Sequence, residues 1–265
     1  MKSSIIRTCL LLSIMLSSNC STEVSTKVII VTNYGDIEIK LYDKTPEHSA
    51  NFIKLAQEGF YDGLLFHRVV KECFIETGDP DSKNAVSGAQ FGKGLPGSVP
   101  AEIVPEYIHK RGAIAAERLP DHDNSEKASS SSLFYIVHGK VYSDYDLDMV
   151  EIQIAEGNAR SMYEQYFNEE EKAMLNNGQT LDVDSVEKRA TRRASAWLLE
   201  NPYKMSEEDR KIYKTIGGFP IHDGEYSVFG EVIKGFDVID VIAELETDDA
   251  DRPKTDVKII KVKVK

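Results

Sequence analysis

Alternation of apolar and polar residues marks much of this chain and predicts short β-strands. The stretch Lys27–Asn33 is rich in β-branched apolar residues, which favour a buried strand. In Asp36–Tyr42 every second residue is apolar, as in a strand with one buried face, and the turn Tyr34-Gly35 predicts that the two strands form a hairpin. Further short strands are predicted at Leu64–Val70, Cys73–Thr77, Gly112–Ala116, Leu133–His138, Ser227–Val232 and Val257–Val264.

Two stretches among these strands have helical signals instead. Thr45 and Pro46 predict a helix start, with Thr45 as the N-cap and Pro46 in the first turn, and Gly59 predicts its end. Gly235–Leu245 has the pattern of a second, closing helix. Many short strands with two helices predict a mainly β fold, an antiparallel barrel capped by helices.

The stretch Tyr145–Ile212 breaks the strand pattern. Leu147, Val150 and Ile154 recur at helical spacing, and a second helical run extends from Val186 to Leu199. This segment therefore predicts a helical insertion at 145–212 within one domain that spans 27–265. Two roles stay open for it: a solvated decoration packed on the barrel, or a lid or recognition surface for clients.

The first 19 residues have the build of an export signal. Lys2 and Arg7 precede the apolar run Leu10–Leu16, which is too short for a comfortable transmembrane helix. The series then reaches Cys20 and resembles a bacterial lipoprotein signal, in which that cysteine is lipidated. We expect a signal peptide at 1–19, a tether at 20–26 and an anchor in a bacterial cell-envelope membrane, on its periplasmic side or at the outer-membrane surface. The alternative is an ordinary signal peptide cut nearby.

Composition narrows the classes of partner. The net charge of −12 disfavours nucleic acid, because an acidic surface repels phosphate backbones. The three cysteines show no spacing typical of a zinc site or a disulfide framework, so we expect no metal. With 41% hydrophobic residues, the chain can bury a sizeable core.

Several motifs in the right order resemble the cyclophilin family of peptidyl-prolyl cis/trans isomerases. They are Gly59–Gly63, Phe66-His67-Arg68, Gly78-Asp79-Pro80 and Phe134–Val137. The resemblance covers Lys27–Asp144 and Tyr213–Lys265. It implies a closed, eight-stranded antiparallel barrel capped by two helices, and an isomerase that uses no cofactor.

By the same resemblance, Arg68 is the catalytic group. Rotation about a peptide bond faces a barrier of about 18–20 kcal/mol, because the nitrogen lone pair is delocalised into the carbonyl. A rigid guanidinium that donates to the prolyl nitrogen as it pyramidalises lowers that barrier. The alternative for Arg68 is a surface ion-pair partner.

The resemblance also implies a substrate site around Arg68, in which this chain departs from the family at several positions. Glu76 replaces a usual Gln, Glu117 a small residue, and His222 a Leu. Two added carboxylates beside Arg68 predict a preference for cationic clients. The implied substrate-binding residues are Phe74, Glu76, Glu117, Leu133, Phe134, Tyr135, His222 and Tyr226.

These observations predict a monomeric isomerase that helps exported proteins fold. Its partners would be proline-containing polypeptides of the cell envelope, and the membrane through a lipid anchor. The pocket departures favour an alternative, a cyclophilin-fold module that binds peptides or a partner with little turnover. A third possibility is a structural role in an envelope complex, with 145–212 as the docking face.

Overall fold

The structure is a computed structural model that describes residues 26–86 and 89–265. The predicted signal peptide and the lipidation site at Cys20 lie outside the described residues, as does most of the tether. The strands are β1 (Lys27–Thr32), β2 (Gly35–Leu41), β3 (Arg68–Val70), β4 (Phe74–Thr77), β5 (Ser98–Val99), β6 (Ala113–Arg118), β7 (Ser129–Val137), β8 (Val228–Lys234) and β9 (Ile259–Val264). The helices are α1 (Pro46–Gln57), α2 (Asp144–Asn176), α3 (Val183–Glu200), α4 (Glu207–Thr215) and α5 (Phe236–Ala243), with 3₁₀ turns at Pro80–Asn84 and Pro220–His222.

The strands form one curled antiparallel sheet in the order β3-β4-β7-β6-β8-β2-β1-β9, and β5 pairs with β7. This confirms the predicted barrel fold, but its closure is only partial. The two end strands do not form a ladder; their flanking segments meet at the bridge between Leu65 and Lys258. The Phe66 N–H also donates to the Val257 carbonyl at 2.8 Å. The Gly63 N–H donates to the Ile259 carbonyl and the Ile259 N–H to the Leu64 carbonyl, so the segment just before β3 makes the closing contacts.

The core lies inside the curl, and the two predicted capping helices cover it. The alternating residues Val28, Ile30, Ile37 and Ile39 are fully buried, as the period-2 pattern predicts. The apolar faces of both helices pack into the same cluster, through Phe52, Leu55 and Ala56 of α1 and Val238, Ile239 and Ile242 of α5.

The start of α1 differs from the prediction in one detail. Thr45 occupies the N-cap position, but its side chain makes no capping hydrogen bond. The carboxylate of Glu102 takes that role, accepting from the Glu47 N–H at 3.1 Å and the His48 N–H at 3.0 Å. A carboxylate there also suits the positive end of the helix dipole.

The insertion is helical, as predicted, and consists of α2, α3 and α4 between β7 and β8. Beyond its first turns α2 packs against α3, whose buried residues are Val186, Ala190 and Ala194. At the base, the buried Glu151 carboxylate accepts hydrogen bonds from Lys204, Arg210 and the Met205 N–H. None of the helices described is both long and apolar enough to cross a membrane.

Candidate active site

Arg68 is positioned by the short hairpin of β3 and β4. In this hairpin Arg68 stands opposite Glu76, and Val70 stands opposite Phe74. Arg68 and Phe74 are therefore diagonal neighbours on one sheet face, close enough for long side chains to touch. The Arg68 Cζ lies 5.2 Å from the centroid of the Phe74 ring, and the Arg68 side chain is 45% exposed.

Two carboxylates flank the guanidinium without saturating it. Arg68 Nη1 lies 3.7 Å from Glu76 Oε2, and Nε donates to Asp251 Oδ2 at 3.4 Å. Contacts this long at a half-exposed side chain contribute little to stability. Among the described residues Nε is the only side-chain nitrogen of Arg68 with a hydrogen bond. The remaining donors are thus available to a ligand above Phe74.

Next to Arg68, an aromatic cluster contains Phe74, Tyr135, His222 and Tyr226. The rings of Phe74 and Tyr135 are 5.1 Å apart, and His222 stacks on Tyr226 at 4.3 Å. Tyr135 is 0% exposed, so its neighbours cover its ring in this conformation. The half-buried rings of His222 and Tyr226 form the accessible part of the cluster.

A chain of hydrogen bonds that runs from Asp223 through His109 to Tyr135 and His222 orients the rings of this cluster. Asp223 Oδ1 accepts from the His109 N–H at 2.7 Å and from His109 Nδ1 at 3.0 Å. His109 Nε2 then accepts from the Tyr135 hydroxyl, whose oxygen accepts from His222 Nδ1, both at 3.0 Å. These tautomers follow from the acceptor-only Asp223 carboxylate. Burial, with His109, Arg118 and Arg68 nearby, lowers the pKa of His222 to about 3, so this imidazole is neutral.

The structure places Phe134 on the core side of β7. Its ring packs edge-on against Phe52 and Tyr61 in the barrel core. The reason is the alternation along β7, which directs Leu133 and Tyr135 to one face and Phe134 to the other. Leu133 does reach the site, where it lines the cavity described next.

A cavity of about 650 Å³ opens beside Arg68 and brings together several of the predicted residues. Its lining includes Arg68, Glu76, Glu117 and Leu133, with His67. Burial, and then the charge of Glu76, raise the pKa of Glu117 to about 7. The site therefore holds a carboxyl group that titrates near neutrality.

The motif Gly78-Asp79-Pro80 builds one wall of this cavity. Gly78 has a φ of +106°, and a Cβ there would lie 2.0 Å from the Ser132 carbonyl oxygen, so no other residue fits. The buried Asp79 carboxylate accepts from the backbone N–H groups of Gly92 at 2.7 Å and Lys93 at 2.9 Å. Asp79 thereby holds the loop that carries the cavity-lining residues Phe91, Gly92 and Lys93.

The fold and this arrangement agree with the comparison against known families. The family model described as "Cyclophilin type peptidyl-prolyl cis-trans isomerase/CLD" matches residues 27–153 and 208–264, more than half of the chain. The chain belongs to the cyclophilin-type peptidyl-prolyl isomerase family. The match is interrupted between 153 and 208, where most of α2 and all of α3 lie.

Individual relatives of this cyclophilin are distant. A Streptococcus pyogenes protein named "Putative bifunctional phosphatase/peptidyl-prolyl cis-trans isomerase" is 27% identical over 241 residues, which are 90% of this chain but 38% of that protein. The chain thus spans well under half of that relative. A Staphylococcus saprophyticus protein named "Putative peptidyl-prolyl cis-trans isomerase" is 25% identical, with 90% of this chain and 91% of that protein covered.

The fold is also that of a solved cyclophilin. A crystal structure of a Cryptosporidium parvum cyclophilin type peptidyl-prolyl cis-trans isomerase aligns with a TM-score of 0.52 at 18% identity. The alignment covers 91% of this chain and 98% of that one. At this identity the likeness supports the fold alone.

Sequence reasoning missed four residues of this cyclophilin site. Asp251 comes from the loop before β9 and has a φ of +60°. No pattern in the sequence predicts its position beside Arg68. His109 carries no sequence pattern, and His67 follows the family motif in a position that favours strand packing over binding. Asp223 directly follows His222 in the chain, and that adjacency was the one available clue.

Proposed function

We propose that this protein is a peptidyl-prolyl cis/trans isomerase in which Arg68 stabilises the twisted prolyl amide. One observation carries the proposal: the half-exposed Arg68 guanidinium over Phe74, with donors that no described residue uses. Membership of the cyclophilin-type family supports the same reaction.

Isomerisation requires a hydrogen-bond donor to the prolyl nitrogen and an apolar surface for the pyrrolidine ring. As the prolyl amide twists, its lone pair returns to the nitrogen, which then becomes a hydrogen-bond acceptor. A donor from Arg68 strengthens only as that state is approached, so it lowers the barrier instead of tightening ground-state binding. The rings of Phe74, His222 and Tyr226 supply apolar surface for the pyrrolidine ring. The neutral state of His222 favours this role, because a charged imidazole would hold water.

The test is the cis-to-trans rate of a proline tetrapeptide, followed by NMR exchange or by a conformation-specific protease. We expect acceleration by the native protein and a loss of about 100-fold or more in kcat/KM for Arg68→Ala. Arg189→Ala, in the insertion, is the control and should leave the rate unchanged. Equal rates for native protein and Arg68→Ala would refute the proposed role of Arg68.

A second candidate is a peptide-binding module with little turnover. It is favoured by the complete burial of Tyr135, which leaves a shallower apolar surface than an open pocket would. The two functions separate in one experiment. Saturable binding of a proline peptide, with no acceleration of its isomerisation by the native protein, would identify the module.

We also propose that the protein is lipidated at Cys20 and assists exported, proline-containing polypeptides at a bacterial cell-envelope membrane. The support is the series of a basic start, the apolar run Leu10–Leu16 and Cys20. Acyl chains would tether the domain through the segment 20–26, at about 0.8 kcal/mol per buried methylene. Labelling with an alkyne fatty acid should mark the native protein and not Cys20→Ser. We expect a monomer, which light scattering of the detergent-solubilised protein would test.

A further inference from the structure

We propose that the cavity beside Arg68 binds a basic side chain of the client, Lys or Arg, and that Glu117 is the carboxylate that recognises it. This inference rests on the proposed isomerase function, because it assigns a specificity to the same site. The occupant would be a residue within two positions of the proline, since Arg68 both lines the cavity and lies over the ring of Phe74 in the aromatic cluster.

Glu117 is a carboxyl group on whose pKa the nearby charges of Arg68 and Arg118 act less strongly than burial does. Its hydrogen bond in the described structure comes from the N–H of the next residue, Arg118, at 3.2 Å. No side chain in the described ranges forms an ion pair with it, although it lies at the end of β6 facing the cavity. A half-buried carboxylate without a cation gains most from a ligand that brings one.

A second carboxylate lies close behind it. Glu76 is buried and lines the same cavity, and its charge acts to raise the pKa of Glu117. Two carboxyl groups that line one cavity together attract a cation. A basic side chain placed between them would offset both the repulsion and the desolvation.

His67 supplies an independent sign of a missing ligand. Its side chain is only 3% exposed and lines the cavity, yet neither of its ring nitrogens has a hydrogen-bond partner in the part of the chain described. Glu76 Oε1 lies 3.5 Å from His67 Nε2. Buried polar atoms without partners are rare in native proteins and commonly mark a place where a ligand or water binds.

Of the cations that line the cavity, Arg118 and Arg252 are already engaged, and Arg68 is the group assigned to the prolyl amide in the proposed reaction, so the lining does not favour an anion site. Arg118 donates to Asp121, to Glu225 and to two backbone carbonyls, and its side chain is nearly buried. Arg252 donates to the Val86 carbonyl and stacks on Phe91. Lys93 is exposed at the rim, where solvent and salt screen its charge.

The rest of the lining suits the stem of a long basic side chain. Phe91, Leu95 and Leu133 provide apolar wall along which methylene groups can pack. A volume of about 650 Å³ exceeds what one Lys or Arg side chain needs, which leaves room for water at the rim. The combination of an apolar wall and a carboxylate end is selective for basic residues over neutral or acidic ones.

The test uses peptides that differ in one residue. One set varies the residue immediately before proline among Lys, norleucine and Glu, a second set varies the residue two before it, and a third varies the residue after it. For the native full-length protein we expect kcat/KM to favour Lys over norleucine by about tenfold in at least one set. In Glu117→Gln that ratio should fall below about twofold.

The matched control is Glu126→Gln, which removes the same charge from an exposed position outside the cavity. It should keep the native ratio. Equal rates for Lys and norleucine in all three sets would overturn the inference while leaving the isomerase proposal standing. Retention of the Lys preference in Glu117→Gln would overturn it as well.

If the protein has no isomerase activity, a direct binding measurement still tests the proposed subsite for a basic residue. If no peptide is isomerised, the affinities of the Lys and norleucine peptides are compared by NMR titration of the native protein and Glu117→Gln. A Glu117-dependent preference for Lys there would support the subsite although the isomerase proposal had failed. Equal affinities would remove the subsite as well.

Discussion

The guanidinium of Arg68 lies over the ring of Phe74, with 5.2 Å between Cζ and the ring centroid. A planar cation on an aromatic face is held in orientation without using its N–H donors. This relationship explains how Arg68 can stay ordered at a half-exposed position while its contacts to Glu76 and Asp251 are long.

Replacing Arg68 by Lys tests whether catalysis needs the planar donor geometry of the guanidinium or only its positive charge. Arg68→Lys keeps the positive charge but loses the planar, fixed donors and the stacked arrangement. We expect kcat/KM for a proline tetrapeptide to fall by about 30- to 100-fold. Thermal denaturation should change little, because the side chain is half exposed.

Arg111→Lys is the matched control for that change. Arg111 also stacks on an aromatic ring, Phe236 at 5.6 Å, and pairs with Asp240 on α5. It lines no part of the cavity, so its replacement should leave the rate within about twofold. A native rate for Arg68→Lys would mean that charge alone is sufficient, and the proposed donor geometry would be wrong.

Glu117 is expected to lower the free energy of unfolding at neutral and higher pH. Its pKa is raised to about 7 by burial and by Glu76, whereas in the unfolded chain it titrates near 4.5. Between these values the folded state binds more protons than the unfolded state, so this group lowers stability progressively as the pH rises through that window. At pH 8 we expect Glu117→Gln to be more stable than the native protein by about 1–3 kcal/mol.

Urea denaturation at pH 4.5 and pH 8 measures this difference. The gain from Glu117→Gln should be present at pH 8 and largely absent at pH 4.5, near the unfolded pKa, where folded Glu117 is protonated. Glu126→Gln, at an exposed position, should show no such pH dependence. A gain of equal size at both pH values would show that Glu117 is not held in the environment described.

The third prediction tests the hydrogen-bond chain behind the aromatic cluster. Tyr135→Phe removes the hydroxyl that joins His109 Nε2 to His222 Nδ1 and leaves both nitrogens without their partner. We expect the free energy of unfolding to fall by about 1–3 kcal/mol. Tyr145→Phe, at a largely exposed tyrosine on α2, should be neutral in the same urea titration.

A neutral result for Tyr135→Phe would indicate that water replaces the hydroxyl or that the chain is not formed. If the variant is destabilised as expected, kcat/KM should also fall, because His222 loses the bond that orients its ring. An unchanged kcat/KM would restrict Tyr135 to a structural role.

Local patterns in the sequence were sufficient to predict most of the fold. Ile37 and Ile39 alternate with polar residues and are buried as that alternation requires, and the stripe of α1 reaches the core through Phe52. The incomplete closure was not predictable, because it depends on tertiary contacts between segments far apart in the chain, such as the bridge between Leu65 and Lys258. The same holds for Glu102, which caps α1 from a loop far along the chain.

The site was only partly predictable, for a related reason. Arg68, Glu76 and Glu117 were found through motif positions, and the structure brings them to one cavity. The alternation along β7 places Phe134 on the face opposite Tyr135, whereas the motif alone suggested that both rings belong to the site. His67 and Asp251 are significant only through what surrounds them in space, which a single sequence does not show.

The last prediction concerns the wall of the cavity. Asp79 accepts three backbone hydrogen bonds, from Asp81 at 2.9 Å as well as from Gly92 and Lys93. Burial acts to raise its pKa, but these bonds outweigh burial and lower it below the usual value. Asp79 therefore contributes stability above its unfolded pKa of about 3.8, and that contribution is lost as the pH falls below it. Asp79→Asn keeps one acceptor oxygen, so we expect a loss of about 1–3 kcal/mol at pH 7.

Hydrogen exchange measured at single amides shows where in the structure Asp79→Asn reduces stability, which global unfolding does not. In Asp79→Asn the amides of Gly92 and Lys93 should exchange faster, since their acceptor Oδ2 is the one replaced or weakened. Asp81→Asn, on an exposed neighbour, should leave both amides protected. Because the loop supplies Phe91 and Leu95 to the cavity, Asp79→Asn should also weaken binding of the Lys peptide. Faster exchange with unchanged binding would mean that this wall does not contact the client.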